Sequence, residues 1–272
     1  MASEKGEGHL QMPLEVAVAQ RWASRRYDRL GSTVRGRRRL DQRPERLHQR
    51  HTMRRPLIIY GNGQMAESFY SKFRAAGQYD VVAFTVDRGF NASDRLFDLP
   101  VIAFEDLGAR FPPGQVEAFV AVGPIKNNRI RAAKYLELKA RGYRIASYVS
   151  PLSRVSPDAR VGENCSLGEH TLVQPYATVE DDVHIGSASI VGHHCVVRRH
   201  AYLAVHVVTA GSVTIGERAF IGAGVIIRDN VTVGEAAIVG AGANVLYDIE
   251  PDSVYAAAHA VRLPMRSDQA RL

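Results

Sequence analysis

Residues 161–197 read VGENCSLGEHTLVQPYATVEDDVHIGSASIVGHHCVV, and in this stretch an aliphatic residue returns at every sixth position. The same spacing runs from Val155 to Val245 and is interrupted only by Thr209. The full series is Val155, Val161, Leu167, Val173, Val179, Ile185, Val191, Val197, Leu203, Thr209, Ile215, Ile221, Ile227, Val233, Val239 and Val245. An α-helix repeats about every 3.6 residues and a strand about every two, so neither element explains this period.

A small or slender residue stands two positions before each aliphatic residue, and a glycine often follows it directly. A parallel β-helix has this pattern, because each side of a coil is about one hexapeptide long and buries one large and one small residue. Three such sides per coil give about five coils. We expect the glycines to turn the corners at low steric cost, and Cys165 and Cys195 to be reduced residues of the core.

The composition of the 272-residue chain, with 46% hydrophobic and 23% charged residues, is typical of a soluble globular protein with two modest domains. No apolar run approaches the ~20 residues of a membrane span, and the N-terminus lacks the apolar core of a signal peptide. We therefore expect a cytoplasmic protein without a membrane partner.

The net charge of +7 is concentrated in residues 1–52, which hold 12 of the 35 basic and 6 of the 28 acidic residues. Composition predicts a largely disordered arm there, with a short helix around Leu14 to Leu30. One interpretation is an arm that binds an anionic surface or nucleic acid. The interpretation that we favour is an extension without function, or a start placed too early, with Met53 opening the domain. We expect no nucleic-acid partner.

From Pro56 the pattern changes to strands that alternate with helices, which predicts a small parallel α/β sheet. The expected strands are 57–60, 81–86, 100–102, 118–123 and about 143–148. One expected helix follows the first turn and runs through Phe73, and the other runs from about Asn128 to Ala140. The predicted domains are a basic extension at 1–52, a Rossmann-like nucleotide-sugar domain at 53–150, a β-helix acyltransferase domain at 151–250 and a C-terminal tail at 251–272.

The first turn of the α/β domain, Gly61-Asn62-Gly63, is typical of a site where glycines and a helix N-terminus receive a phosphate. Asp87, at the end of the second predicted strand, is suited to accept a ribose hydroxyl. Fewer than ~100 residues precede the β-helix, which is enough for one mononucleotide-binding half. NAD is therefore not expected, and a nucleotide attached to another group is preferred.

Histidines cluster in the central coils at 184, 193, 194, 200 and 206. His193 and His194 follow Val191-Gly192 and should lie at a corner, where a neutral imidazole can accept a proton near pH 7. A zinc site is the competing interpretation. The spacing differs from the i, i+5 pair of β-helix carbonic anhydrases, so we expect no metal.

The motifs IYGNG at 59–63, FTVDR at 84–88, QP at 174–175, VGHH at 191–194 and FIGA at 220–223 occur in a characteristic order. Together they resemble the bacterial sugar acyltransferases of the sialic-acid O-acetyltransferase (NeuD-like) family. Relatives include N-acetyltransferases of nucleotide-linked 4-amino sugars. The resemblance spans about Arg54 to Tyr255.

This resemblance implies a left-handed β-helix with hexapeptide repeats, a homotrimer, and acetyl-CoA bound as co-substrate between neighbouring β-helices. It implies that His193 is the general base and that His194 replaces the glutamate which often follows this base. The implied coenzyme contacts are Tyr202, Ala223 and Ala241. The implied nucleotide-sugar contacts are Asn62, Gly63, Gln64, Asp87 and Arg88.

The function that the resemblance implies is transfer of an acyl group, acetyl in the family, from CoA to an amino or hydroxyl group of a nucleotide-linked sugar used for surface glycans. Relatives usually have Gly-x-Pro-Ala after the last coil, whereas this chain has Ala257-Ala258-His259-Ala260. The difference affects the expected contacts to the nucleotide end of CoA. Two alternatives remain open: a non-catalytic trimeric nucleotide-sugar-binding protein with a degenerate CoA groove, and a zinc-dependent hydratase or hydrolase on the same scaffold.

Overall fold

The computed structural model describes residues 54–90 and 93–258. The arm and the short helix expected within residues 1–52 lie outside the described residues, as do His259 and Ala260. Within the two described ranges, no helix combines the length and the apolar character needed to cross a membrane.

The N-terminal part is an α/β layer built around a six-stranded sheet. Its strands are β1 (Arg55–Tyr60), β2 (Tyr79–Val86), β3 (Arg95–Leu96), β4 (Leu99–Ala103), β5 (Glu117–Val120) and β6 (Arg144–Ile145). Its helices are α1 (Gln64–Ala76), a 3-10 turn (Phe104–Asp106), α2 (Leu107–Arg110) and α3 (Arg129–Ala140).

The strand order is β3-β4-β2-β1-β5-β6, and every pair is parallel except β3 with β4. The predicted small parallel sheet is therefore confirmed, with one antiparallel edge strand. Apolar residues of α1, such as Phe69 and Phe73, pack on one face, and Tyr135 and Leu138 of α3 pack on the other. Burial on both faces explains the nearly continuous apolar sequence of β1.

The C-terminal part is a stack of two-residue strands separated by tight corners. They are β7 (Tyr148–Val149), β8 (Arg154–Val155), β9 (Arg160–Val161), β10 (Ser166–Leu167), β11 (Leu172–Val173), β12 (Thr178–Val179), β13 (His184–Ile185), β14 (Ile190–Val191), β15 (Val196–Val197), β16 (Tyr202–Leu203), β17 (Val208–Thr209), β18 (Thr214–Ile215), β19 (Phe220–Ile221), β20 (Ile226–Ile227), β21 (Thr232–Val233), β22 (Ile238–Val239), β23 (Asn244–Val245) and β24 (Val254–Tyr255).

These strands form three parallel sheets, here called faces 1, 2 and 3. Face 1 contains β7, β10, β13, β16, β19, β22 and β24; face 2 contains β8, β11, β14, β17, β20 and β23; face 3 contains β9, β12, β15, β18 and β21. The chain visits the faces in turn and pairs residues 18 positions apart, as in Ser166 with His184 and His184 with Tyr202, until the last coil, where Ile238 pairs with Val254. The fold is a left-handed parallel β-helix, as expected.

The core of the β-helix follows the period-six series. Each position from Leu167 to Val245 is buried, including Thr209, while Val155 and Val161 in the first coil are partly exposed. The small residues two positions earlier fill the same interior, and Cys165 and Cys195 lie there as buried free thiols. The interpretation of the cysteines as core residues is confirmed.

The predicted role of the corner glycines is wrong. The left-handed backbone conformation falls three positions after the aliphatic residue, and so two positions after a glycine where one is present, at Asn164, His170, Tyr176, Asp182, Ala188, His194, His200, His206, Ser212, Arg218, Gly224, Asn230, Ala236 and Gly242. The glycine that follows an aliphatic residue serves instead to let the next coil approach. A Cβ atom on Gly168, for example, would lie 2.6 Å from the backbone nitrogen of Ser187 on the following coil.

The edges of the β-helix differ from the expected domain limits by a few residues. The strand expected over about 143–148 is divided, because β6 joins the α/β sheet whereas β7 pairs with β10 on face 1. At the other end, β24 pairs with β22 and extends face 1 into the segment expected to be a tail.

A buried ion pair joins the two parts within one compact unit that includes all described residues. The Arg131 side chain on α3 is fully buried, and its Nε donates to Oδ1 of Asp182 over 3.1 Å. Its Nη2 also donates to the carbonyl oxygens of Asp182 (3.1 Å) and His200 (2.6 Å). Oδ1 of Asp182 also accepts a hydrogen bond from Nδ2 of Asn164, and its Oδ2 lies 2.7 Å from Nδ1 of the His200 ring. The guanidinium and carboxylate are thus satisfied away from water, as buried charges require.

Replacing Asp182 with Ala should lower the free energy of unfolding by about 3–5 kcal/mol, because Arg131 would remain buried without its carboxylate partner. Chemical denaturation followed by circular dichroism measures this loss. The matched control is Asp106→Ala, which removes an exposed pair with Arg88 whose atoms lie 2.9 Å apart and should cost less than about 1 kcal/mol. Equal losses in the two variants would contradict a special contribution of the buried pair.

Candidate functional site

The histidine pair lies at the corner between faces 2 and 3, directly after β14. Both side chains are exposed, and the Nδ1 atoms of His193 and His194 lie 3.1 Å apart, within hydrogen-bonding distance. The backbone N–H of His193 donates to Oε1 of Gln174 over 3.0 Å. The ring of Tyr176 lies next to that of His194, with centroids 4.9 Å apart. The sequence prediction of an exposed corner pair agrees with this arrangement.

The imidazole of His193 rests on a glycine of the following coil. A Cβ atom on Gly211 would lie 2.5 Å from Nε2 and 3.0 Å from Nδ1 of His193. The carbonyl oxygen of His193 accepts a bond from the N–H of Ser212 over 2.8 Å, which fixes the backbone beside the ring. Sequence reasoning did not identify Gly211, although its separation of 18 residues from His193 was a usable signal.

The other clustered histidines lie elsewhere. His184 is buried on face 1 between Phe69 and Phe119, and burial lowers its pKa well below the usual range. His200 is buried at the corner between faces 3 and 1, where Nδ1 lies 2.7 Å from Oδ2 of Asp182. His206 is exposed at the corner between faces 1 and 2. Across residues 54–90 and 93–258, no three His, Cys, Asp or Glu side chains are arranged to hold a metal ion.

The residues expected to contact the coenzyme do not adjoin His193 within one chain. Tyr202 lies on face 1, where its ring stacks on that of Phe220 with centroids 5.6 Å apart. The centroid of the Tyr202 ring lies 5.8 Å from the guanidinium carbon of Arg131. Burial raises the pKa of its hydroxyl. Ala223 and Ala241 stack on successive coils at the corner between faces 1 and 2, where the N–H of Gly242 donates to the carbonyl oxygen of Ala223 over 2.8 Å.

A pocket of about 730 Å³ lies in the α/β part, at the carboxyl ends of β1 and β5. The strand order reverses between these two strands, since β2 lies on one side of β1 and β5 on the other. Such a switch point is where ligands bind in open α/β sheets. Four of the predicted substrate residues line this pocket, namely Asn62, Gly63, Gln64 and Asp87.

Arg88, the fifth predicted residue, lies outside the lining, and its guanidinium pairs with Asp106 over 2.9 Å. Asn62 donates from Nδ2 to the carbonyl oxygen of Phe90 over 2.9 Å and so braces the mouth of the pocket. Gly63 is the N-cap of α1, and no side chain caps the helix there. The first N–H groups of α1 can therefore receive an anion.

Charged and polar residues missed by sequence reasoning complete the pocket. Lys134 of α3 donates to Oδ1 of Asp87 over 2.6 Å and to Oε2 of Glu137 over 3.1 Å. Burial, followed by the nearby carboxylate of Asp87, raises the pKa of Tyr60. Arg129, which also lines the pocket, is exposed. The available signal was that α3 directly follows the loop after β5, so its first turns face the switch point.

The sequence pattern of the bacterial transferase hexapeptide family (six repeats) matches residues 164–199 and 212–246. No protein of curated function matches the chain. Solved structures do. The acetyltransferase domain of PglB from Neisseria gonorrhoeae is 30% identical, with a TM-score of 0.68 over 75% of this chain and 97% of that domain. The same domain in complex with acetyl coenzyme A matches at 27% identity and TM-score 0.68 over the same shares.

A third similar structure is a mutant of perosamine N-acetyltransferase from Caulobacter crescentus in complex with CoA and GDP-perosamine. It is 26% identical, with a TM-score of 0.68 over 74% of this chain and 93% of that one. Both similar proteins are covered almost completely, so the likeness includes the α/β part as well as the coils.

Replacing Gly211 with Ala should displace the His193 ring while leaving the coils intact, because the methyl group meets the end of a side chain and the backbone there is not left-handed. We expect a loss of less than about 1 kcal/mol in the free energy of unfolding, because the displaced ring is exposed and can rotate away.

A double-mutant cycle with His193→Ala measures the interaction free energy between residue 211 and the His193 ring. In the His193→Ala background the methyl group has no ring to meet, so the added cost of Gly211→Ala should disappear. An equal cost in both backgrounds would mean that Gly211 does not support the imidazole.

Proposed function

The chain belongs to the bacterial hexapeptide transferase family, and from this premise we propose that it is an acetyl-CoA-dependent acetyltransferase that modifies an amino or hydroxyl group of a nucleotide-linked sugar. The observation that carries the proposal is the combination, in one compact unit, of a pocket at a helix N-terminus and an exposed imidazole at a coil corner. The similar proteins support the substrate classes, because one is described with acetyl coenzyme A and another with CoA and GDP-perosamine.

The nucleotide end of the acceptor would bind in the α/β pocket. Amide groups at Gly63 and Gln64 suit the diphosphate, because the uncapped start of α1 carries a partial positive charge. Asp87 offers a carboxylate to a hydroxyl group, and Lys134 keeps that carboxylate paired until the ligand arrives. Asn62 stays at the mouth of the pocket. Arg88 would first have to leave Asp106 to reach a ligand.

The reaction would occur at the histidine corner. His193 would take the proton from the attacking nitrogen or oxygen as that atom forms its bond to the thioester carbonyl carbon, and the CoA thiolate would leave. Neither cysteine is suited to act as a covalent nucleophile, because both are buried in the core and burial raises the pKa of Cys165 to about 12. Acyl transfer would therefore be direct.

The separation of the predicted coenzyme residues from His193 supports a homotrimer. The corner at Ala223 and Ala241 has only small side chains, which suits an extended coenzyme lying against the backbone. His193 lies at the other edge of face 2. A complete site therefore needs the corner with Ala223 and Ala241 of one copy to lie beside the corner with His193 of another copy. Face 2 also carries an outward apolar series, consisting of Leu172, Ile190, Val208 and Ile226, of which Ile226 is 52% exposed.

The product would be an acetylated sugar nucleotide for glycan synthesis, made in the cytoplasm. Whether nitrogen or oxygen receives the acetyl group depends on the sugar, and a panel of UDP-, dTDP-, GDP- and CMP-linked sugars with amino or hydroxyl groups distinguishes the two.

We expect the purified protein to bind acetyl-CoA and to release CoA in the presence of one member of this panel. His193→Ala should lower kcat by about 100-fold or more, because general base catalysis is lost, and should leave acetyl-CoA binding within about twofold. Calorimetry and a thiol-release assay measure the two properties. Full turnover in the variant would remove His193 from this role, and binding of the sugar nucleotide without any binding of acetyl-CoA would favour the binding-protein alternative.

Replacing Gly63 with Val should weaken binding of the sugar nucleotide by about tenfold or more while acetyl-CoA still binds. No protein atom lies within 4 Å of a Cβ atom at this position, so the added side chain occupies free space at the pocket without disturbing the fold. The control is Gly108→Val in α2, where a Cβ atom likewise meets no neighbour but which lies outside the pocket lining. Equal affinity in the two variants would contradict the assignment of the pocket.

A further inference from the structure

The close approach of the two Nδ1 atoms constrains where the protons of the histidine pair reside. At 3.1 Å, one nitrogen must donate and the other must accept, so one hydrogen atom lies between them. If His193 donates, its Nε2 carries a free lone pair. If His194 donates, the neutral ring of His193 carries its hydrogen atom on Nε2 and has no lone pair to offer a substrate.

We infer that His194 is a positioning residue that accepts the Nδ1 hydrogen of His193 and thereby keeps Nε2 of His193 unprotonated and able to act as the base. This inference rests on the proposed function. During the reaction, Nε2 of His193 gains the substrate proton, so both nitrogens of that ring then carry hydrogen. His194 must therefore be neutral at that step and must accept through Nδ1, with its own hydrogen atom on Nε2.

Among the residues that the structure describes around the pair, His194 is the one placed to accept this hydrogen atom. From the preceding coil, Gln174 accepts the backbone N–H of His193 and Tyr176 lies beside the His194 ring. From the following coil, Gly211 and Ser212 face the pair, and neither contributes a carboxylate.

The charged residues at this corner of the described chain are two coils away, namely Asp158 on one side and Arg228 and Asp229 on the other. No carboxylate of residues 54–90 and 93–258 therefore holds the His193 ring, in contrast to the arrangement in which a glutamate follows the base. In the inferred arrangement, the imidazole of His194 instead occupies the place where a carboxylate would stabilise a positive charge.

The backbone permits a set of replacements that separates hydrogen bonding from charge. His194 has φ 58°, and the same left-handed corner conformation is occupied by Ala188, Asn230 and Asp182 in other coils. The amide oxygen of Asn and a carboxylate oxygen of Asp occupy about the place of histidine Nδ1. His194→Asn thus keeps a neutral acceptor, His194→Asp supplies a charged one, and His194→Ala supplies none.

The first test is NMR of the full-length protein labelled with ¹⁵N-histidine, without any substrate, near pH 8. We expect His193 to carry its hydrogen atom on Nδ1 in the unmodified protein and in His194→Asn. In His194→Ala it should revert to the form protonated on Nε2, which predominates in free histidine. An unchanged His193 tautomer in His194→Ala, or an Nε2-protonated ring in the unmodified protein, would overturn the inference.

The second test is the pH dependence of kcat/KM with the acceptor found in the panel. His194→Ala should lose about tenfold or more in kcat/KM, and His194→Asn should recover most of this loss. His194→Asp should move the acidic limb of the profile upward by about one pH unit, because a carboxylate favours the protonated form of His193. The matched control is His170→Ala, which changes an exposed histidine with φ 59° at another corner and should leave the profile unchanged.

A purely structural role of His194 would lower the activity of all three variants without moving the limb, and this result would overturn the inference. Absence of turnover in the unmodified protein with every acceptor would instead overturn the proposed function. The NMR result is independent of turnover, so the two failures are distinguishable.

Discussion

The constraint on which the rest of the structure depends is the pairing of residues in successive coils, which lie 18 positions apart until the last coil, where the separation is 16. Parallel hydrogen bonding holds this register along all three faces, and one large aliphatic residue per side fills the interior. The register decides which side chains become neighbours. It brings Gly211 onto His193, and it aligns Asn164, Asp182 and His200 along one edge of the stack.

That polar edge is where the α/β part is attached. Helix α3 inserts Arg131 against Asp182, while Asn128 donates to the carbonyl oxygen of Arg218 one coil beyond His200. Arg129 and Lys134 of the same helix line the pocket. One helix therefore fixes the pocket relative to the coils. A buried ion pair contributes little more net stability than apolar packing would. Its many directional hydrogen bonds instead restrict the α/β part and the coils to one docking geometry.

The period of six predicted the β-helix and its interior because the core depends only on local spacing. The α/β sheet was predictable for the same reason, since buried strands and turns leave local signals. The contacts of Arg131 were not predictable, because the sequence of a helix does not show that one of its arginines packs against another domain. The corner glycines were misread because the sequence shows where glycine occurs, whereas the approach of the next coil is a tertiary effect. Counting in steps of 18 would have shown that His193 and Tyr202 occupy different sides.

The same backbone geometry explains why the coils are rich in histidine. Residues Asn, Asp and His tolerate the left-handed conformation better than most, and the corners need it once in every six residues. His170, His194, His200 and His206 all occupy such positions, so their clustering has a conformational cause. His193 has no such cause, since its backbone is not left-handed, and it is exposed whereas His184 is buried. The proposed function therefore assigns the chemistry of this corner to His193. His194 has the left-handed conformation that the corner needs, and its ring lies within hydrogen-bonding distance of the neighbouring imidazole.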